Sequence, residues 1–121
     1  MPSEMECDQA IEKLIAMTDS REIKWMENPF IEGKRDDVVG KVYATLMDNR
    51  YLAVYEYQYK VYDEPESFEW QREVQIEFVS PGDYESDWQW PQTAHRWALL
   101  NTVRCHVSGA ADILQKLLKK P

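Results

Sequence analysis

The clearest pattern in the chain is an alternation of apolar and polar positions over Val42–Val79. Successive side chains of a β-strand point to opposite faces of a sheet, so this alternation predicts strands. Turn-forming residues divide the stretch at Asp48–Asn49 and at an acidic, proline-containing segment, residues 63–68. The pattern therefore predicts a three-stranded antiparallel meander whose second strand is Arg50–Tyr62 and whose third is Glu69–Val79.

The two-residue turn at Asp48–Asn49 sets the register of the first hairpin, because Asp and Asn tolerate the positive φ of a type I′ turn. This register pairs Leu46 with Tyr51 and Ala44 with Ala53. One face of this hairpin is apolar, and we assign it to the core: Val42, Ala44, Leu46, Tyr51, Ala53 and Tyr55. The other face becomes polar toward one end and is assigned to solvent. The apolar face of the third strand carries Val74, Ile76 and Phe78, which we also assign to the core. Matching this face to the core face of the hairpin places Tyr57 beside Val74 and Tyr55 beside Ile76.

Helical periodicity flanks the meander on both sides. Ser3 and Glu6 form a capping box ahead of an N-terminal apolar stripe that ends near Thr18. A second stripe follows Pro91 and continues across Ser108–Gly109, which predicts one long helix kinked at the glycine or two helices with a break. The expected fold is a single α+β domain, residues 1–121, in which the N-terminal helix and the long C-terminal helix cover one face of the meander.

The connecting segments have few regularly spaced apolar positions. We expect Trp25 to lie in a short extended piece and to pack against the sheet. Glu27–Val39 contains Asn-Pro, a glycine and a run of charges, which predicts a solvated loop of about a dozen residues. Ser80–Asp83 predicts a turn from its Pro-Gly pair, and Tyr84–Trp90 predicts an acidic, aromatic connection.

Composition narrows the functional classes. With 22 acidic and 14 basic residues among 121, the chain carries a net charge of −8, which repels nucleic acid phosphates and argues against direct nucleic acid binding. Cys7 and Cys105 are far apart and outside any CxxC motif, as is typical of free thiols in a reducing compartment. Neither a secretory signal nor an apolar run of the ~20 residues that span a bilayer is present in the sequence. We expect a cytoplasmic protein without a membrane partner.

The spacing of histidine, cysteine and carboxylate residues does not fit a catalytic or metal-binding motif. His95 and His106 are separated by ~16 Å along a helix at their spacing, too far to share a metal. Helical neighbours such as Cys105 and His106 point about 100° apart, which disfavours a Cys–His nucleophile pair. The carboxylates of Asp83–Asp87 alternate as in a calcium loop, but the glycine and glutamate that such a loop requires are missing. We expect no catalytic residue, no metal site and no cofactor.

Aromatic residues provide the main candidate binding surface. The end of the predicted second strand is rich in tyrosine, and the third strand adds Phe68 and Trp70 nearby. Aromatic side chains and Arg are the types enriched at binding hot spots. Trp88 and Trp90 either form a second patch or cap the core. The expected partner-binding residues are aromatic residues, one arginine and the carboxylates around them: Tyr59, Tyr62, Arg72, Trp88, Trp90, Glu64, Glu66, Asp83, Glu85 and Asp87.

Three stretches resemble a widespread class of small bacterial and phage proteins. They are the N-terminal helix ending in Arg21–Trp25, the tyrosine- and valine-rich meander, and the segment Leu99–Leu114 near the C-terminus. Members of this class look like helix–meander–helix domains, so the resemblance implies the same fold. It implies no particular activity and no site residues. The long loop Glu27–Val39 departs from the shorter form typical of the class.

These observations favour a non-enzymatic interaction domain whose partner is another protein. An acidic surface with aromatic residues suits an immunity- or antitoxin-type inhibitor of a basic partner, because opposite charges steer association. The alternative is a small-ligand-binding domain with a pocket between the sheet and the C-terminal helix, lined by Trp25, Tyr55, Trp70 and Trp97. The outer strands of the meander leave backbone groups unpaired, which is also compatible with a homodimer.

Overall fold

A computed structural model describes residues 2–120 and contains, over this range, a five-stranded antiparallel sheet and four helices. Met1 and Pro121, the ends of the predicted domain, lie outside the described residues. The elements in chain order are α1 Glu4–Asp19, β1 Met26–Glu27, α2 Pro29–Glu32, β2 Val38–Met47, β3 Arg50–Glu64, β4 Ser67–Val79, β5 Ser86–Gln89, α3 Arg96–Val107 and α4 Ala110–Leu118. The α+β class and the antiparallel sheet are confirmed, whereas three strands is too few.

The N-terminal helix begins and ends close to its predicted positions. The Ser3 hydroxyl accepts a hydrogen bond from the Glu6 backbone N–H (3.1 Å), and the Glu6 carboxylate accepts one from the Ser3 backbone N–H (3.4 Å). This reciprocal capping box satisfies two donors that the helix itself leaves unpaired. The helix ends at Asp19, one residue beyond the predicted end at Thr18.

The C-terminal stripe forms two helices rather than one. Gly109 separates α3 from α4 with φ of 82°, a left-handed conformation that glycine adopts without steric cost. α3 begins at Arg96, later than predicted from Pro91, because the chain after β5 stays extended along β4. The Trp90 backbone N–H donates to the Ile76 carbonyl at 2.8 Å and holds this extension in place. Within residues 2–120, none of the helices combines the length and apolar character needed to cross a membrane.

The strands follow one another across the sheet in chain order, from β1 at one edge to β5 at the other. In the first hairpin, Asp48 and Asn49 have φ of 51° and 63°, as a type I′ turn requires. The predicted pairs Leu46–Tyr51 and Ala44–Ala53 are confirmed. An irregularity between Val39 and Tyr43 shifts the register toward the start of β2, where Val39 pairs with Glu56.

The register between β3 and β4 is one residue away from the predicted register. The prediction placed Tyr55 and Tyr57 beside apolar residues of β4, and the structure replaces those pairs with Tyr55–Gln75, Tyr57–Glu73, Val54–Ile76 and Glu56–Val74. The cause is a bulge at Asp63, which inserts one residue into β3 beside the hairpin turn. Because side chains alternate, a one-residue shift brings the apolar residues of β4 onto the opposite face of β3.

The helices therefore cover the face of β2 and β3 that the sequence pattern assigned to solvent. The core on this side combines residues of α1, α3 and the sheet with the segments that flank them: Cys7, Ile11, Leu14, Ile23, Trp25, Tyr43, Leu52, Val54, Val74, Ile76, Trp90, Leu99, Leu100 and Val103. The assignment of the face with Val42 and Tyr55 to the helix-covered core is wrong. For β4, the assignment of Val74, Ile76 and Phe78 to that core is correct.

The other face of the sheet is also buried at its centre. Ile31 of α2 packs with a smaller cluster from three strands: Val42, Ala44, Ala53, Tyr55 and Val79. The Asn28 side chain caps α2 by accepting a hydrogen bond from the Ile31 backbone N–H at 3.0 Å. The predicted loop Glu27–Val39 thus carries a short helix that shields the second face. Since both faces are apolar at the centre of the sheet, their alternation cannot show which one the long helices cover.

Two edge strands lie where connections were predicted. β1 follows Trp25, whose indole Nε1–H donates to the Thr18 hydroxyl at 2.9 Å. Trp25 is buried in the same core cluster as Tyr43 and Leu52 of the sheet, so its predicted packing against the sheet is confirmed. β5 lies inside the predicted connection Tyr84–Trp90 and pairs Trp88 with Phe78. Its four residues are too few to show a convincing alternation.

Candidate functional site

The hairpin of β3 and β4 extends beyond both neighbouring strands. The last residue of β3 that pairs with β2 is Tyr57, and β5 pairs only with residues 77–79 of β4. Residues 59–71 therefore form a two-stranded ribbon that we call the arm, with its turn at Pro65–Glu66. At the rise of a β-strand, the arm projects roughly 20 Å from the sheet.

One face of the arm carries a row of exposed aromatic side chains, Tyr62, Phe68 and Trp70, which we call the aromatic row. These side chains are 58%, 41% and 49% exposed. The ring centroids of Tyr62 and Phe68 are 5.7 Å apart, and those of Phe68 and Trp70 are 5.8 Å apart in an edge-to-face arrangement. The rings support one another at distances typical of aromatic pairs while leaving much of their surface in water.

The aromatic row is surrounded by charge. Lys60 places its ammonium 4.6 Å from the Phe68 ring centroid and 5.4 Å from that of Trp70, within cation–π range. All four carboxylates of the arm are exposed, and none forms an ion pair with another described residue: Asp63, Glu64, Glu66 and Glu69. The arm thus combines an exposed aromatic surface with a net negative charge, because its four carboxylates outnumber the single ammonium of Lys60.

The base of the arm is anchored to α3 through Glu56. The carboxylate of Glu56 is buried and contacts two guanidinium groups, Arg104 Nη2 at 3.0 Å and Arg72 Nη1 at 3.5 Å. On the arm face opposite the aromatic row, the Tyr59 hydroxyl donates to Gln71 Oε1 at 3.2 Å. The ion pairs tie the base of a projecting element to a packed helix.

The structure brings together half of the predicted partner-binding residues. Tyr59, Tyr62, Glu64 and Glu66 lie on the arm and Arg72 lies at its base. Phe68 and Trp70, which the sequence placed beside them, complete the surface. Tyr59 lies on the opposite face of the ribbon from Tyr62, because the two are three residues apart on one strand.

The other half lies at the far end of β4. Asp83 and Glu85 are in the β4–β5 connection, and Asp87 accepts a hydrogen bond from the Ser80 hydroxyl at 2.7 Å. Trp88 is half-buried against Phe78, and Trp90 is buried in the helix-side core. Trp90 therefore caps the core and does not belong to an exposed patch.

The four residues of the predicted ligand pocket do not line one cavity. Trp25 borders an open cleft between the end of α1 and the end of α3, and Trp97 packs on the helix-side core. Tyr55 lies on the other face of the sheet, and Trp70 belongs to the arm. The one-residue register shift places Tyr55 and Trp70 on opposite faces of the sheet, so these two side chains cannot line one pocket.

A polar cluster beside Tyr55 was not predicted. Glu77 is fully buried, and its Oε1 accepts a hydrogen bond from Arg35 Nε at 2.7 Å. Glu77 Oε2 and Arg35 Nη2 are buried without a hydrogen-bond partner among the described residues. Burial and the charge of Glu77 raise the pKa of the Tyr55 hydroxyl far above its ordinary value. Arg35 and Tyr55 border an open cleft of about 260 Å³.

The two histidines contact separate acidic residues of α1. His95 Nδ1 lies 2.5 Å from Asp8 Oδ2, and His106 Nε2 lies 3.0 Å from Asp19 Oδ1. The hydrogen bond to Asp8 raises the pKa of His95 above its ordinary value, despite partial desolvation. Across residues 2–120, no group of three or more His, Cys, Asp or Glu side chains is placed to hold a metal ion.

Comparison with known proteins returns no similarity. No protein-family model matches the chain, no curated protein matches it in sequence, and no solved structure matches it in fold. The resemblance to small bacterial and phage helix–meander–helix proteins stays a prediction.

Proposed function

We propose that the protein is a non-enzymatic interaction domain that binds a basic partner protein through its arm, as an immunity- or antitoxin-type inhibitor does. The observation that carries the proposal is the aromatic row, because three adjacent large aromatic side chains are held in water on a projecting ribbon. Contiguous exposed apolar surface of this kind marks interaction sites, and aromatic residues dominate their binding energy.

The charges around the row support a partner of opposite sign. Glu64 and Glu66 stand at the turn of the arm, free of ion pairs with other described residues, and Glu69 follows on β4. Carboxylates at the border of an interface steer a basic protein toward it and raise the association rate. The aromatic row then supplies the apolar surface that holds the partner after contact.

Site-specific photo-crosslinking tests this proposal. A photoreactive phenylalanine analogue at position 62 samples the aromatic row, and the same analogue at position 59 samples the opposite face of the arm as a matched control. We expect position 62 to capture a basic protein in a lysate of the native host, with a yield that falls as the salt concentration of the lysate buffer rises. Equal capture from both positions, or none from position 62, contradicts the proposal.

Small-ligand binding is the second candidate function, at the cleft beside Tyr55. It is favoured by Arg35, which borders the cleft and whose Nη2 is a buried donor without a hydrogen-bond partner among the described residues. A polar compound that binds there shifts the NMR signals of the Gln75 and Gln89 side-chain amides, which border the same cleft. Shifts confined to the arm in the presence of a partner favour the first candidate.

A further inference from the structure

The helix α4 exposes an apolar stripe that covers nothing in the described chain. None of its residues is buried, and its large apolar side chains are all more than half exposed: Ile113, Leu114, Leu117 and Leu118. Their spacing of three and four residues places them on one side of the helix. α4 packs mainly against the end of α3 and is held by an ion pair between Asp112 and Arg21.

Basic residues border this stripe. Lys116 lies within α4 and Lys119 and Lys120 follow at its end, and none of them forms an ion pair with a described residue. The one carboxylate of α4, Asp112, is already paired with Arg21, an interaction that lowers the pKa of Asp112. In a chain of net charge −8, α4 is therefore a local basic, apolar surface.

The arm has the complementary character. It presents the aromatic row together with four carboxylates that lack ion-pair partners among residues 2–120, against the single ammonium of Lys60, so the net charge of the arm is negative. Pairing two arms places like charges together, and pairing two α4 helices does the same with their lysines, which disfavours both. Pairing an arm with an α4 helix joins apolar surfaces while bringing lysines against carboxylates.

We infer that two copies of this chain associate by docking the arm of each on the α4 helix of the other. The inference rests on the proposed function in taking the arm as the binding element. It assigns the arm a second occupant, the basic, apolar α4 helix of another copy, with which a basic partner protein would compete. The exchange is reciprocal in a two-fold dimer, so each copy uses both surfaces.

The exposed apolar area favours a dimer with two arm–helix contacts over a dimer with one. The aromatic row and the α4 stripe together hold seven of the twelve large hydrophobic side chains that are exposed among the described residues. Each of these side chains exposes on the order of 100 Å², so the seven offer roughly 700 Å² of apolar surface per copy. A stable interface buries ~800 Å² per partner. A single arm–helix contact uses only half of this surface and falls well short.

Sedimentation velocity over a range of concentrations tests the inference on the full chain. We expect a monomer–dimer equilibrium in which Leu114→Asp and Trp70→Ser each raise the dissociation constant about tenfold or more. The matched controls are Gln115→Asp on the polar side of α4 and Gln71→Ser on the other face of the arm. Circular dichroism should show that all four variants remain folded, because none of these side chains is buried.

Mixing and charge exchange separate this dimer from other arrangements. In an equimolar mixture of the Leu114→Asp and Trp70→Ser chains, a heterodimer retains one contact between an intact arm and an intact α4. The mixture should therefore associate more strongly than either variant alone.

The charge exchange replaces lysines of α4 and glutamates of the arm. Lys116→Glu with Lys120→Glu should weaken the dimer, and adding Glu64→Lys with Glu66→Lys should restore it. No gain on mixing, with both variants equally weakened, overturns the arm–helix pairing.

Further outcomes overturn the inference without touching the proposed function. A wild-type chain that stays monomeric at high concentration rules out the dimer, while a basic protein cross-linked at position 62 still supports the proposed function. A dimer that Leu114→Asp breaks and Trp70→Ser leaves intact is a helix–helix dimer. If the protein is monomeric and binds vesicles of phosphatidylcholine and phosphatidylserine, and if Leu114→Asp abolishes this binding, the stripe binds a membrane surface instead of a second copy.

Discussion

Among single residues, Glu77 occupies the environment most unusual for its type. Its carboxylate is fully buried within the sheet and is neutralised by Arg35, whose Nε lies 2.7 Å from Oε1. Removing one partner of a buried ion pair leaves an uncompensated charge and costs about 3–5 kcal/mol. We expect Arg35→Met to lower the free energy of unfolding by this amount, measured by urea denaturation followed by circular dichroism.

A second arginine provides the control for this measurement. Arg50 is largely exposed and lies 3.6 Å from Asp87, so Arg50→Met should cost less than about 1 kcal/mol. The double variant Arg35→Met with Glu77→Leu should recover most of the lost stability, because it removes the orphaned charge. Equal losses for Arg35→Met and Arg50→Met would show that the Glu77 carboxylate does not depend on Arg35.

The pair of Asp8 and His95 predicts a pH dependence of stability. The hydrogen bond that the His95 ring donates to the Asp8 carboxylate raises the pKa of His95. Burial of Asp8 opposes its ionisation, but the nearby Thr93 hydroxyl and the hydrogen bonds from His95 outweigh this and lower the pKa of Asp8. His95 therefore stabilises the fold fully below its unfolded pKa of about 6.5, and this contribution is lost as pH rises through the raised folded value. The contribution of Asp8 is present above its unfolded pKa of about 3.9 and is lost as pH falls through the lowered folded value.

The pair thus contributes most between about pH 4 and pH 6.5. Thermal melts of the wild type and of His95→Gln should differ more at pH 5.5 than at pH 8.5. His106→Gln is the control, since His106 joins the same two helices through the exposed Asp19. A melting-temperature difference for His95→Gln that is constant with pH would exclude the linkage.

At the scale of secondary-structure elements, β4 and α4 differ in how much an Ile→Ala substitution should lower the free energy of unfolding. Ile76 is 2% exposed in the helix-side core, and Ile113 is 59% exposed on α4. Ile76→Ala should cost about 2–5 kcal/mol of unfolding free energy, because it opens a cavity. Ile113→Ala should change the unfolding free energy of the monomer by no more than about 0.5 kcal/mol. A small loss at Ile76 would mean that this face of β4 is not core.

At the scale of the whole molecule, acidic residues concentrate at both ends of β4, and only one end carries the aromatic row. Neutralising the arm with Glu64→Gln, Glu66→Gln and Glu69→Gln should slow association with a basic partner and flatten its salt dependence. Stability should stay within about 0.5 kcal/mol, as is usual for exposed positions. The changes Asp83→Asn, Glu85→Gln and Asp87→Asn remove the same charge from the far end. Stopped-flow association rates that respond equally to both triple variants would contradict steering by the arm.

The candidate surface was only partly predictable from residue types. Aromatic residues near an acidic turn indicated Tyr59, Tyr62, Phe68 and Trp70, and the structure places them all on the arm. The separation of Trp90 from this surface was not predictable, because a short edge strand directs it into the core. The exposure of α4 was also missed, since an apolar helical stripe has the same spacing whether it faces a core or solvent.

The sequence by itself determined what local interactions decide. It specified α1 with its capping box, the Asp48–Asn49 turn, the alternation of the strands and an interruption at Gly109, because each depends on neighbouring residues alone. At Gly109 the pattern was compatible with one kinked helix or with two helices. The tertiary structure decided which face of the sheet the helices cover. One bulged residue, Asp63, shifts β4 by a position, and both faces of β2 and β3 are apolar enough to be buried. That choice depends on packing between segments distant in the chain, which no local pattern records.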